Sequence, residues 1–155
     1  MESYWDSNES FQRYAINPDT VLIFYALHGH AYLMEDMITA KANIEVRDGL
    51  GRNALMVAAA RGHLECVRLL LQNNANIEAK GPSGITTLIL TAFLGKTTCV
   101  QLLIDFKANI EAEDVSGTTA LMAASGKDHT ACAKILIQAK ANLEATEAGG
   151  LTALI

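Results

Sequence analysis

Residues 42–74 read ANIEVRDGLGRNALMVAAARGHLECVRLLLQNN, and the phrase begins again at Ala75, Ala108 and Ala141. Its four openings are ANIE, ANIE, ANIE and ANLE, so Asn43, Asn76, Asn109 and Asn142 keep strict register at a period of 33. A fixed period of this length means one supersecondary unit copied in tandem. Such a unit cannot bury its apolar face alone, and stacking on its neighbours supplies the core.

The letters of one copy predict its shape. Asn53, Thr86, Thr119 and Thr152 stand one period apart, each before an apolar run such as ALMVAAA. Their side chains can accept from the free N–H groups of a helix start, so each reads as an N-cap. The Ala-rich run (Ala58, Ala59, Ala60) suits a short, closely packed helix, and Gly62 and Gly95 permit a left-handed turn at its end. A second helix follows, LECVRLLLQ, with Glu65, Arg68 and Gln72 as one polar stripe on an apolar cylinder. Residues 48–51 and 82–84 carry turn chemistry. The period thus predicts first helices near 20–28, 53–61, 86–94 and 119–126, and second helices near 31–40, 64–73, 97–106 and 130–139.

At this point the chain resembles the ankyrin repeat over roughly residues 18–155. The family phrase D-x-x-G-x-T-P-L-H-x-A-A-x-x-G-H-L-E-x-V-x-L-L-L is met by Asp48, Gly51, Ala54, Leu55, Ala58, Ala59, Gly62, His63, Leu64, Glu65, Val67 and Leu69 to Leu71. Three in-phase copies and two partial ones repeat it. The resemblance implies an all-α solenoid of stacked helix–turn–helix units with projecting hairpin-like loops. It divides the chain into an extension (1–17), a degenerate capping repeat (18–41), repeats at 42–74, 75–107 and 108–140, and a truncated repeat (141–155). Departures are informative. The family's T-P-L-H becomes NALM, TTLI, TALM and TALI, so the loop-bracing bonds of that His are expected to be missing. The glycine that usually ends the second helix is Lys41, Asn74, Lys107 and Lys140, and a lysine in left-handed geometry costs about 1 kcal/mol.

Composition narrows the function classes. Half of the 155 residues are hydrophobic, enough for a continuous stacked core, and 17 acidic against 12 basic residues give a net charge of -5. With no basic stripe, binding to nucleic acid is not expected. No apolar run has the length of a membrane span, and the first residues lack the basic start and apolar segment of a signal peptide. Cys66, Cys99 and Cys132 lie one period apart, on successive second helices. Stacked helices sit about 8–10 Å apart, beyond disulfide reach and too far for a shared zinc. Small apolar core residues are the expected role, with a redox or metal site as the alternative. Reduced thiols fit a cytoplasmic or nuclear setting.

Taken in order, residues 1–17 depart from the period and hold Trp5, Tyr4, Phe11 and Tyr14. They read either as a lid on the first repeat or as a loose terminus. The copy at 108–140 is the weakest, with Gly126 expected inside its first helix and Asp128 where Gly62 and Gly95 stand. The chain reads as cut within its last repeat. His30, His63 and His129 share one position and are expected to make structural hydrogen bonds. Glu45, Glu78, Glu111 and Glu144 form an acidic row that reads as solvated. No nucleophile–base pair, metal-ligand cluster or phosphate loop stands out, so neither catalysis, cofactor nor metal is expected.

What remains is the surface that varies between copies. On the resemblance, the concave side is built from loop tips and first-helix ends, which makes Leu27, His28, Leu50, Arg52, Arg61, Ile85, Phe93, Leu94, Val115 and Lys127 the candidate partner-binding residues. Contiguous exposed hydrophobes mark an interface, unless Phe93 and Leu94 fold back into the core. The expected function is a non-catalytic protein–protein interaction module. The alternative is the targeting portion of a larger enzyme (a kinase, ubiquitin ligase or hydrolase) whose catalytic domain lies elsewhere.

Overall fold

Asn53, Thr86 and Thr119 cap helices as their position demands. Each is extended, and its side chain accepts the N–H of the residue three further on: Met56 to Asn53 at 3.0 Å, Ile89 to Thr86 at 3.4 Å, Met122 to Thr119 at 3.4 Å. The computed structural model that shows this describes residues 18–150 and 152. The two readings of residues 1–17 and the cap role of Thr152, whose helix would follow it, therefore lie outside the described residues. The chain divides into two compact units, Met1–Ala75 and Asn76–Ile155.

The first unit holds α1 (Pro18–His28), α2 (Ala31–Thr39), α3 (Ala54–Arg61) and α4 (Leu64–Gln72). Within it α1 pairs with α2 and α3 with α4, while α1 stacks on α3 and α2 on α4. The second unit repeats the scheme with α5 (Thr87–Phe93), α6 (Thr97–Asp105), α7 (Ala120–Ser125) and α8 (Thr130–Gln138). Among the described residues, β pairing is confined to two isolated bridges, Arg47 with Asn53 and Thr146 with Thr152. The fold is all-α, with helices where the period put them to within two residues.

Each second helix ends in the same closing turn. Lys41, Asn74, Lys107 and Lys140 have φ of 66°, 62°, 67° and 69°. The amide of the next residue reaches back five, as in Ala42 to Met37 and Ala108 to Leu103, at 3.0 and 2.9 Å. This bond closes a Schellman turn. It explains the recurring Ala at 42, 75, 108 and 141, a small residue tucked against the helix end. First helices close through Gly29, Gly62 and Gly95, with Asp128 (φ 57°) taking the fourth such place. Gly126 corrects the sequence reading: α7 stops at Ser125, and Gly126 is its cap in right-handed geometry, not a residue within the helix.

Two bracing systems recur. The ring Nε2–H of His63 donates to the Leu27 carbonyl at 3.1 Å, and that of His129 to the Phe93 carbonyl at 3.0 Å. Each ring lies on a glycine: a Cβ added at Gly29 or Gly95 would stand 2.7 Å from it. The acidic row is likewise not merely solvated. Glu78 accepts the backbone N–H of Asn109 at 2.7 Å and Glu111 that of Asn142 at 2.8 Å. Val115 N–H donates to the Ser83 carbonyl and Ala148 N–H to that of Ser116. The loops are thus held by glutamate and backbone in place of the family's histidine. A sequence shows glutamates a repeat apart and hides that Glu78 and Glu111 reach the next opening.

Cys66, Cys99 and Cys132 are free and buried. Burial, with the Glu65 charge added, pushes the Cys66 thiol up to about 11. Burial also raises that of Cys99, against the opposing pull of Lys96 and a hydrogen bond with Thr98. Neither thiol carries the thiolate character that a reactive cysteine needs.

Candidate partner-binding surface

The second unit carries an open cleft of about 350 Å³ between α5 and α7. Ile85, Ile89, Leu90 and Phe93 form one wall; Thr118, Met122, Ala123 and Gly126 form the other, with Asp114 and Lys127 completing the lining. Helix geometry selects this set. Ile89 and Leu90 lie four and three residues before Phe93, and Met122 and Ala123 four and three before Gly126, so each group shares a face. Phe93 is 45% exposed, and the Lys127 ammonium sits 4.7 Å from its ring centroid. Its side chain does not fold back into the core.

The structure brings Ile85, Phe93 and Lys127 together, three of the residues chosen from sequence. Leu94 caps α5 and is 39% exposed, outside the cleft lining. Val115 is the most exposed of them at 77%, on a loop built by Asp114, whose Oδ1 accepts the N–H groups of Ser116 (2.8 Å) and Thr118 (3.0 Å). Ile89, Leu90, Asp114, Met122 and Ala123 were not singled out by sequence reasoning. For all but Asp114, which lies on the loop before α7, the available signal was helical spacing from the variable positions at 93 and 126.

In the first unit, Leu50 stands 64% exposed on a turn of the same design. Asp48 Oδ1 accepts the N–H groups of Leu50 and Arg52, both at 2.9 Å. Here Arg52 adds two bonds to Asp48 Oδ2, from Nε at 2.9 Å and Nη2 at 2.7 Å. Burial alone would raise the Asp48 carboxyl, but the Arg52 hydrogen bonds and charge and the Leu50 N–H together hold it below its ordinary value. Arg52 thus secures its own loop. Leu27 is half-buried and lends its carbonyl to His63, while Arg61 ends α3 exposed. His28 is half-buried too, its ring 4.4 Å from that of Phe24 and its Nε2 buried without a hydrogen-bond partner among the described residues. Burial, then the charges of His30, Arg61 and His63, lower its pKa. It packs inward more than an open contact would.

Among the described residues, no helix is long and apolar enough to cross a membrane, and no group of three His, Cys, Asp or Glu side chains is placed to hold a metal. The family model described as "Ankyrin repeats (3 copies)" matches residues 5–81 and 74–147. No curated protein matches the chain. Ankyrin repeats generally serve as protein–protein interaction modules and are typically non-catalytic. With the paired helices, the closing turns and this match over most of its length, the chain belongs to the ankyrin-repeat family.

Proposed function

We propose that the chain is a non-catalytic interaction module that takes a partner protein on the cleft face of its second unit, with Phe93 as the anchor. The observation that carries this is an exposed aromatic at the rim of an apolar cleft. A partner that covered the open 45% of Phe93 would remove roughly 90 Å² of apolar surface, worth about 2 kcal/mol. That is a hot-spot magnitude. Ile85 and Lys127 flank the anchor, Leu94 and Val115 extend its margin, and Leu50 offers the first unit a contact point of its own. Leu27, His28, Arg52 and Arg61 are proposed as accessory contacts there. Three buried free cysteines suit a reducing compartment, so we place the protein in the cytoplasm or nucleus.

The test is affinity capture with the wild-type chain and with single variants whose helix content is unchanged. Phe93→Ala should weaken capture by about 2 kcal/mol or more. On the outer helices, Glu65→Ala, Arg68→Ala and Gln101→Ala should leave it within about 0.5 kcal/mol. Loss of capture through the outer changes, with Phe93→Ala silent, would put the interface on the wrong face.

A further inference from the structure

The cleft has a direction. Ile85, Asp114 and Thr118 precede the helices and line one end, while Phe93, the last residue of α5, and Gly126 and Lys127, which follow α7, line the other. An acidic side chain therefore stands at the loop end and a basic one at the helix-exit end, with Ile89, Leu90, Met122 and Ala123 between them. Neither charge is absorbed by the other wall. Asp114 uses Oδ1 for its turn, and position 118 is a threonine, which has no guanidinium to engage Oδ2 as Arg52 engages Asp48. The Lys127 ammonium rests over the Phe93 ring, which holds it at the cleft mouth without neutralising it.

We infer that the cleft takes a short extended segment of a partner protein, apolar at its centre, with a basic residue at one end and an acidic residue at the other. The inference rests on the protein-binding reading above and adds the partner's chemistry. Length follows from geometry. The seven residues of α5 rise about 10 Å, and an extended chain covers about 3.3 Å per residue. Three or four residues then separate the two charges, with two alternating apolar side chains entering the cleft. The acidic residue meets Lys127 beside Phe93; the basic residue meets Asp114. A segment with its charges exchanged would place like charge on like at both ends, and such juxtaposition is how interfaces reject wrong partners.

The experiment is selection of a phage-displayed library of random twelve-residue segments on the full chain, followed by deep sequencing. Lys127→Glu, Asp114→Asn and Phe93→Ala are selected in parallel. Asparagine at 114 keeps the Oδ1 acceptor for the turn and removes only the charge. The wild type should enrich segments with opposite charges three or four positions apart around apolar residues. Lys127→Glu should lose the acidic preference and weaken a selected synthetic segment about tenfold, while Asp114→Asn should lose only the basic preference. Enrichment that needs Phe93 but shows no charge pattern, or the same pattern from wild type and Lys127→Glu, overturns this inference and leaves the protein-binding reading standing. No enrichment from the wild type also overturns it, because a short segment would then be insufficient. Enriched segments indifferent to Phe93→Ala would overturn both.

Discussion

The α1–α3 pair of the first unit and the α5–α7 pair of the second are built on one frame and differ in what fills it. Both have a histidine on a helix-end carbonyl, a glycine beneath its ring and an aspartate turn. Aligned by the period of 33, the first unit carries Phe24, Arg52, Val57 and Ala60 where the second carries Leu90, Thr118, Ala123 and Gly126. Each of the four is smaller in the second unit. Phe24 is 8% exposed and Val57 3%, so the larger side chains are packed away. The cleft is therefore a local subtraction from a filled surface. Two exchanges run the other way, Ile85 for Asp19 and Phe93 for Leu27, and the second places an aromatic at the rim.

The shared frame is where the largest effects should appear. Gly29→Ala and Gly95→Ala each force an alanine into left-handed backbone and drive its Cβ to 2.7 Å from a histidine ring. Strain and overpacking together should cost about 2–4 kcal/mol in either unit, read from denaturant midpoints. A tolerated Gly95→Ala beside a damaging Gly29→Ala would show that the frames are not equivalent.

Restoring first-unit residues to the cleft should affect binding more than folding. Ala123→Val with Gly126→Ala fills the groove with the side chains found at 57 and 60. We expect partner affinity to fall at least tenfold, about 1.4 kcal/mol. Stability should stay within about 1 kcal/mol of wild type, helped by alanine at a cap whose backbone is right-handed. Undiminished binding would mean that the cleft is not the site.

The units should also differ in their response to acid. His28 belongs to the first unit, and its folded pKa lies below 6.5 because burial and neighbouring positive charge disfavour the imidazolium. The unfolded chain then binds the proton more readily. Stability is full above about pH 6.5 and declines as pH falls below it, toward the folded value. His28→Gln should flatten that limb of a melting-temperature profile, and an unchanged slope would remove His28 as its source.

The smallest expected change concerns Thr87, fully buried at the start of α5, whose hydroxyl has no hydrogen-bond partner among the described residues. Its counterparts are Ala54 and Ala120. Thr87→Val keeps the shape, removes the unsatisfied hydroxyl and should stabilise by about 0.5–1 kcal/mol. A loss of stability would point to a bond that Thr87 makes and the frame needs.

The helices were legible in the sequence because the period, the caps at 53, 86 and 119 and the turns at 41, 74, 107 and 140 all agree. The frame's histidines were legible for the same reason, since one position recurs with one chemistry. The cleft was only partly so. Phe93, Ile85 and Lys127 vary between copies and attract notice, whereas Ile89, Leu90, Met122 and Ala123 are ordinary core letters whose exposure depends on what stands opposite. The acidic row was read in part: Glu45, Glu111 and Glu144 are exposed as expected, but the reach of Glu78 to Asn109 is a matter of loop geometry, invisible in spacing alone. Arg52 was chosen because it varies, and its guanidinium also closes on Asp48, a second task that variation alone does not show.

Methyl-resolved NMR of the chain, with the captured partner added, tests the central claim most directly. Ile85, Ile89, Leu90 and Met122 line the cleft, whereas Ile137 is exposed on α8 and outside the lining. The account predicts that the methyls of Ile85, Ile89, Leu90 and Met122 shift or broaden while that of Ile137 stays in place. Shifts centred on Ile137 and the outer helices, with the cleft methyls unmoved, would contradict it.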